Sequence, residues 1–280
     1  MNRYIVGTGD HVYQVVHPFG ELPQGMTLGN TSHVATDSSD RVYVYQRQDP
    51  PILVFDTNGN LLTTWGDGQI LDAHGIYISP DDEIFLVDRD AHEVVKFSTE
   101  GKMLLRIRTR EMPSLHGPFN HPADIAVAPG GEIFVADGYG NSRVHRFSAE
   151  GKLLNSWGSP GAGPGEFTTP HGIWVDPQER VYVCDRENNR VQIFDVEGTY
   201  QAEWRDFYHP MDIYRDPQGI FYVTDQIPRI TMLNSTGELV TRGRTPFNGH
   251  GMWIDTKANI YLAGNATGVA KLVKLSGPDT

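Results

Sequence analysis

The sequence predicts an all-β fold, a six-bladed β-propeller formed as a single domain over residues 1–280. Three observations predict it. An internal repeat recurs every ~40–50 residues, each copy holds four short strand patterns, and no helical period of useful length appears.

In register, the first strand of the copies reads HGIYIS from His74, ADIAVA from Ala123, HGIWVD from His171, MDIYRD from Met211 and HGMWID from His250, with a weaker SHVATD from Ser32. A turn follows (SPDDE, APGGE, DPQER, DPQGI, and the looser DTKAN). The second strand is β-branched and aromatic: IFLVD to Asp88, IFVAD to Asp137, VYVCD to Asp185, FYVTD to Asp225. A third strand such as VQIF, a Gly-containing turn and a fourth strand such as KLLNSWG complete the copy. The last copy holds only three strands before Leu275. The N-terminal HVYQVV (His11 to Val16) is expected to pair there as the missing fourth strand and lock the ring, which removes open sheet edges.

Composition narrows the class. A formal net charge of −12 argues against nucleic acid, which needs a broad basic surface. No apolar run is long enough to span a membrane, and the opening MNRYIVGTGD lacks the pattern of a signal peptide. The single cysteine, Cys184, falls inside a second strand, where a buried inert thiol is expected. Together these predict a cytoplasmic protein.

The first strand should be innermost. At its leading position the ring reads Ser32, His74, Ala123, His171, Met211, His250. Alternate blades lie a third of a turn apart, so His74, His171 and His250 should converge on the axis. Three imidazoles with an open position beside them suit zinc. A single histidine there would more simply suit a wet tunnel mouth; the alternation favours the metal.

The end of the second strand lies at the same face as the start of the first, because the two are antiparallel. The next residue is Arg47, Arg89, Gly138, Arg186, Gln226 and Asn265 around the ring. Three arginines at one mouth of an acidic protein predict a site for an anionic small molecule, a carboxylate above all, unless they merely pair with neighbours such as Glu187. Tyr139, in ADGYGNSRV, stands between glycines that leave its phenol uncovered. A dication and arginines would favour its ionised form, and a phenolate can serve as general base. The aspartates closing the second strands (Asp88, Asp137, Asp185, Asp225) are expected to accept N–H bonds from the following turn. NSR (141–143), NNR (188–190), Trp65, Trp157, Trp204 and GSPGAGPGEF read as blade architecture.

The chain resembles NHL-repeat propellers and, within them, the peptidyl-α-hydroxyglycine α-amidating lyase family, over nearly the whole ring. DGYGNSRV around Tyr139, DRENNRVQIF around Arg186 and AHGIYIS at His74 carry the resemblance. It implies zinc on His74, His171 and His250, a catalytic tyrosine at Tyr139 and active-site arginines at Arg47 and Arg186. It also implies calcium on the carbonyls of Val34 and Ile76 plus an aspartate after the third histidine. Gly251 stands there instead, so calcium lacks its carboxylate. Asn248 replaces a methionine of the family, Arg89 has no expected charged counterpart, and the family's disulfide cysteines are absent. The expectation is therefore a zinc-dependent lyase acting on the N–C(OH) bond of a small carboxylate-bearing substrate, with Arg89, Asn248 and Met211 lining the substrate site. The alternatives are a non-catalytic NHL scaffold and a lactonase-type propeller hydrolase, the latter disfavoured by the histidines.

Overall fold

A computed structural model describes residues 4–108, 113–115 and 117–275; the first three residues of the N-terminal segment examined for a leader lie outside them. Five four-stranded antiparallel sheets and one five-stranded sheet form the six blades of a ring. Blade one runs Thr31–Thr36, Val42–Gln46, Ile52–Phe55 and Leu61–Trp65, and blade two Ala73–Ile78, Ile84–Asp88, Glu93–Phe97 and Met103–Arg108. Blades three, four and five begin at Asp124–Val127, Pro170–Val175 and Pro210–Arg215. Blade six has Gly251–Ile254, Ile260–Gly264 and Gly268–Lys274. His11–Val16 pairs antiparallel with the last of these, Gln14 opposite Val273, and so closes the ring with the first part of the chain. One strand was not anticipated: Ile5–Thr8 adds outside His11–Val16 as a fifth member of that sheet. Among the described residues no helix is long and apolar enough to cross a membrane.

The β-branched and aromatic second and third strands are buried because both their faces meet neighbouring blades. Val44, Leu53, Leu86 and Val95 belong to one such cluster, and Phe134, Val183 and Phe194 to another. The fourth-strand tryptophans contribute at the rim. Trp65, Trp157 and Trp204 lie against Gly101, Gly198 and Gly237, each in a turn of the next blade, where a Cβ would come within 2.2–3.1 Å of the indole. The turns adopt positive φ at these glycines, so both the backbone and the neighbour call for glycine. Cys184 is buried and free, and burial pushes its thiol up, as an inert core thiol requires.

The strand-closing aspartates are structural, but they reach mainly backwards. Asp88 accepts from the N–H groups of Leu71 and Asp72, Asp137 from Asn120, Asp185 from Thr168 and Asp225 from Tyr208. From their following turns, Asp88 takes the backbone N–H of Ala91, and Asp137 and Asp185 take the side-chain amides of Asn141 and Asn188. Each carboxylate thus pins the segment entering its own blade at the mouth where the arginines and Tyr139 sit. In blade four the same Asp185 also accepts from buried Arg190, which donates onward to the carbonyls of Gly163 and Glu166 in the GSPGAGPGEF loop.

Candidate metal centre and active site

Four of the innermost strands are irregular at one shared place. In blades one, two, four and five, pairing with the second strand gains one extra residue within 31–33, 73–76, 170–173 and 210–212. Such a bulge interrupts the alternation that would send successive side chains to opposite faces. The leading position and the residue after it can then both border the tunnel.

His74, His171 and His250 converge there. Their ring centroids lie 5.1 Å (His74–His171), 4.8 Å (His74–His250) and 4.9 Å (His171–His250) apart, and all three are buried. Each Nδ1 faces the backbone carbonyl at the same register position one blade on: Ala123 at 2.6 Å, Met211 at 2.7 Å and Ser32 at 2.7 Å. A carbonyl can only accept, so each Nδ1 carries the proton and each neutral ring keeps its lone pair on Nε2. Charge is strongly disfavoured. Burial, then His250, His171 and Arg47, hold His74 well below the ordinary imidazole range. Burial, His250 and Arg186 do the same to His171. Burial takes His250 down to about 3, against the pull of the Ser32 carbonyl. Three neutral, oriented Nε2 atoms on one side of an axis are the donor set of an open zinc site, and these residues fit that metal.

The calcium arrangement does not fit. A Cβ at Gly251 would lie 2.5 Å from Cγ of His33, so no carboxylate can stand there while His33 keeps its place.

Tyr139 reaches the histidines from blade three. Its hydroxyl is 2.9 Å from Nε2 of His74 and 3.1 Å from Nε2 of His171, and it accepts a hydrogen bond from Nη1 of Arg186 at 3.4 Å. The guanidinium carbons of Arg89 and Arg186 each lie 5.3 Å from its ring centroid. Gly138 permits this approach, because a Cβ there would fall 1.8 Å from the Pro170 carbonyl of blade four.

The arginines are steered through Nε. Asp72 receives Arg89 at 2.8 Å and Arg47 at 3.4 Å, Arg89 also meets Asp90 at 3.0 Å, and Arg186 meets Glu187 at 2.9 Å. Arg47 donates as well to the Ala73 carbonyl, beside His74. The geometry therefore joins His74, His171, His250, Tyr139, Arg89 and Arg186 by direct contact and ties Arg47 to them through Asp72. Met211 is placed differently from a mouth residue. It is buried in the narrow space among the histidines, and its carbonyl orients His171. Asn248 is exposed two residues before His250.

Sequence reasoning missed Asp72, the three orienting carbonyls and a second buried cluster, His33, Asp124 and Asp212. Asp72 and the carbonyls carry no signal in a repeat alignment. The cluster does: the residue after the leading position reads His33, Gly75, Asp124, Gly172, Asp212, Gly251 around the ring.

Similarity to known proteins agrees with the fold. A family model described as a 6-bladed beta-propeller matches residues 118–231. The chain is 35% identical over 177 residues to the peptidylglycine alpha-amidating monooxygenase of Rattus norvegicus, covering 58% of this chain but 18% of that protein. It is 32% identical over 159 residues to peptidyl-alpha-hydroxyglycine alpha-amidating lyase 1 of Drosophila melanogaster, covering 52% of this chain and 29% of that one. NHL repeat-containing protein 3 of Homo sapiens is 31% identical over 218 residues, 71% of this chain and 62% of its own length. The chain thus spans less than two thirds of each. Among solved structures, a streptogramin B lyase superposes with a TM-score of 0.70 over 93% of this chain and 97% of its own, at 14% identity. A gluconolactonase from Xanthomonas campestris does so with 0.72 over 93% and 89%, also at 14%. A lyase and a lactonase superpose equally well, so these two likenesses speak for the ring alone.

Proposed function

We propose that this chain is a metal-dependent lyase that cleaves the N–C(OH) bond of a small carbinolamide bearing a carboxylate, releasing an amide and an aldehyde acid. One observation carries the reading: the Tyr139 hydroxyl stands within hydrogen-bond reach of two Nε2 atoms of a converging histidine triad and of Arg186. Similarity to the amidating lyases supports it.

Held by Nε2 of His74, His171 and His250, zinc would supply Lewis acidity that lowers the pKa of the substrate hydroxyl. The remaining work belongs to the chain. Tyr139 takes the hydroxyl proton, its oxygen held by a hydrogen bond from Nη1 of Arg186. The C–O electrons then form the carbonyl, the C–N bond breaks, and the nitrogen takes the proton that Tyr139 received and leaves as the neutral amide. Arg47, Arg89 and Arg186 hold the substrate carboxylate and set which face of the carbinol meets Tyr139. The carbonyls of Ser32, Ala123 and Met211 keep the imidazoles in one tautomer. Asn248 belongs to the substrate margin in this reading, whereas Met211, buried among the histidines, acts through the carbonyl that orients His171. A reducing, cytoplasmic setting is part of it too, on the ground of the free buried Cys184, and it favours a small adduct over a secreted peptide.

The test is glyoxylate release from N-benzoyl-α-hydroxyglycine by zinc-loaded protein. Release that disappears in His171→Ala supports the proposal. A zinc-loaded wild type that leaves a panel of small N-acyl-α-hydroxy acids intact overturns it and leaves the scaffold reading.

A further inference from the structure

The tunnel holds a second set of potential ligands. His33, Asp124 and Asp212 come from blades one, three and five, the blades that contribute no histidine to the triad, and all are buried. Nε2 of His33 lies 3.1 Å from Oδ2 of Asp212 and 4.0 Å from Oδ1 of Asp124. The carboxylates are anchored across blade boundaries. Asp124 accepts the N–H of Ile173 through Oδ2, and Asp212 that of Met252 through Oδ2 and that of Ile213 through Oδ1. Oδ2 of Asp212 therefore faces both the Met252 N–H and Nε2 of His33, and Asp124 keeps one oxygen over. Oδ1 of Asp124 is buried, with no hydrogen-bond partner. Beside the cluster is a cavity of about 10 Å³, near the size of one water-sized sphere, bordered by Tyr77, Trp174, Tyr214 and Trp253.

Such a group is costly as it stands. With both carboxylates ionised, the group carries an excess negative charge in the protein interior even when the imidazole is protonated. Burial accordingly raises the Asp124 carboxyl, against the pull of His33. A dication would neutralise both carboxylates with His33 uncharged. A 3.1 Å separation is also what two ligand atoms at about 2.1 Å from a shared ion present. Nδ1 of His33 lies 2.9 Å from the Val34 nitrogen and 3.0 Å from its carbonyl; in the tautomer that donates to the carbonyl, Nε2 is free to bind.

We infer that His33, Asp124 and Asp212 bind a second divalent cation on the tunnel axis, through one imidazole nitrogen and two carboxylate oxygens. Mixed nitrogen and carboxylate donors suit Mn²⁺ or Zn²⁺. Aromatic side chains on one side and the histidine triad on the other enclose the ion, so it ties three blades together and exchanges slowly.

Protein produced with Mn²⁺ and Zn²⁺ and purified without chelator should carry two ions per chain by elemental analysis. Asp124→Asn should lose one and His171→Ala the other. Loss in His171→Ala but not in Asp124→Asn overturns this inference and leaves the centre at His74, His171 and His250, the upper centre, standing. Loss only in Asp124→Asn overturns the upper centre instead. Anomalous scattering from Mn²⁺-grown crystals of the unaltered protein needs no variant: a peak among His33, Asp124 and Asp212 is expected, and its absence at full occupancy of the upper centre rejects the site.

Discussion

Blades two, four and six differ from blades one, three and five at two adjacent positions of the innermost strand. The first group carries histidine then glycine (His74–Gly75, His171–Gly172, His250–Gly251). The second carries Ser32, Ala123 or Met211 and then His33, Asp124 or Asp212. The glycines are spaces for the other group: for its side chains at Gly75 and Gly251, and for its backbone at Gly172. A Cβ on Gly75 would lie 2.5 Å from Oδ1 of Asp124, one on Gly172 2.8 Å from Cα of Asp212, and one on Gly251 2.5 Å from the His33 ring. One half of the ring builds the triad and the other half builds the cluster, each occupying room that its neighbour leaves. The difference teaches that sixfold architecture can support two interleaved threefold sites.

The largest expected effect comes from removing one member of the first group. His171→Ala should abolish zinc at the triad and lower lyase turnover by about 10³-fold or more, since a Lewis acid supplies several kcal/mol at the transition state. Turnover and metal content together check this. Zinc kept at full occupancy would break the threefold assignment.

Tyr139 asks whether the second group joins the chemistry, as it stands on blade three. Tyr139→Phe should retain zinc yet lose about 10²–10⁴-fold in kcat, the usual share of a general base. Full activity with zinc bound would confine blade three to support.

Gly251 tests the interlock. Gly251→Ala forces a methyl group into the His33 ring and should cost about 1–3 kcal/mol in denaturant unfolding. Combining it with His33→Gly should recover part of that loss, because the two sites touch. Additive costs would mean that the spaces are not shared.

The smallest effect is in pH. His74, His171 and His250 titrate lower in the fold than the unfolded value of 6.5. Their neutral state is therefore fully stabilising above pH 6.5, and metal-free stability falls as pH drops below it, because the unfolded chain takes up protons that the fold refuses. Each accounts for about 1.4 kcal/mol per pH unit, so His171→Ala should flatten the slope between pH 6 and 5 by that amount. Parallel slopes would show a protonated triad in the fold.

Much of this was legible in the chain. Repeat spacing and strand pattern placed the six blades, the closing segment His11–Val16 and the triad register, because a repeated unit must bury the same face each time. Arg89, Arg186 and Tyr139 followed from antiparallel pairing. The pairing of Arg47 and Arg89 on Asp72, and the backward reach of Asp88, Asp137, Asp185 and Asp225, did not, since loops carry no repeat period.

The sequence by itself determined which residue types recur at which blade position, and with them the ring and the convergence of His74, His171 and His250. Tertiary structure alone decided that the adjacent position also borders the tunnel. Alternation along a strand sends neighbouring side chains to opposite faces, and extra residues in the inner-strand pairing of blades one, two, four and five interrupt it. A bulge is a property of two paired strands. One strand's sequence does not contain it.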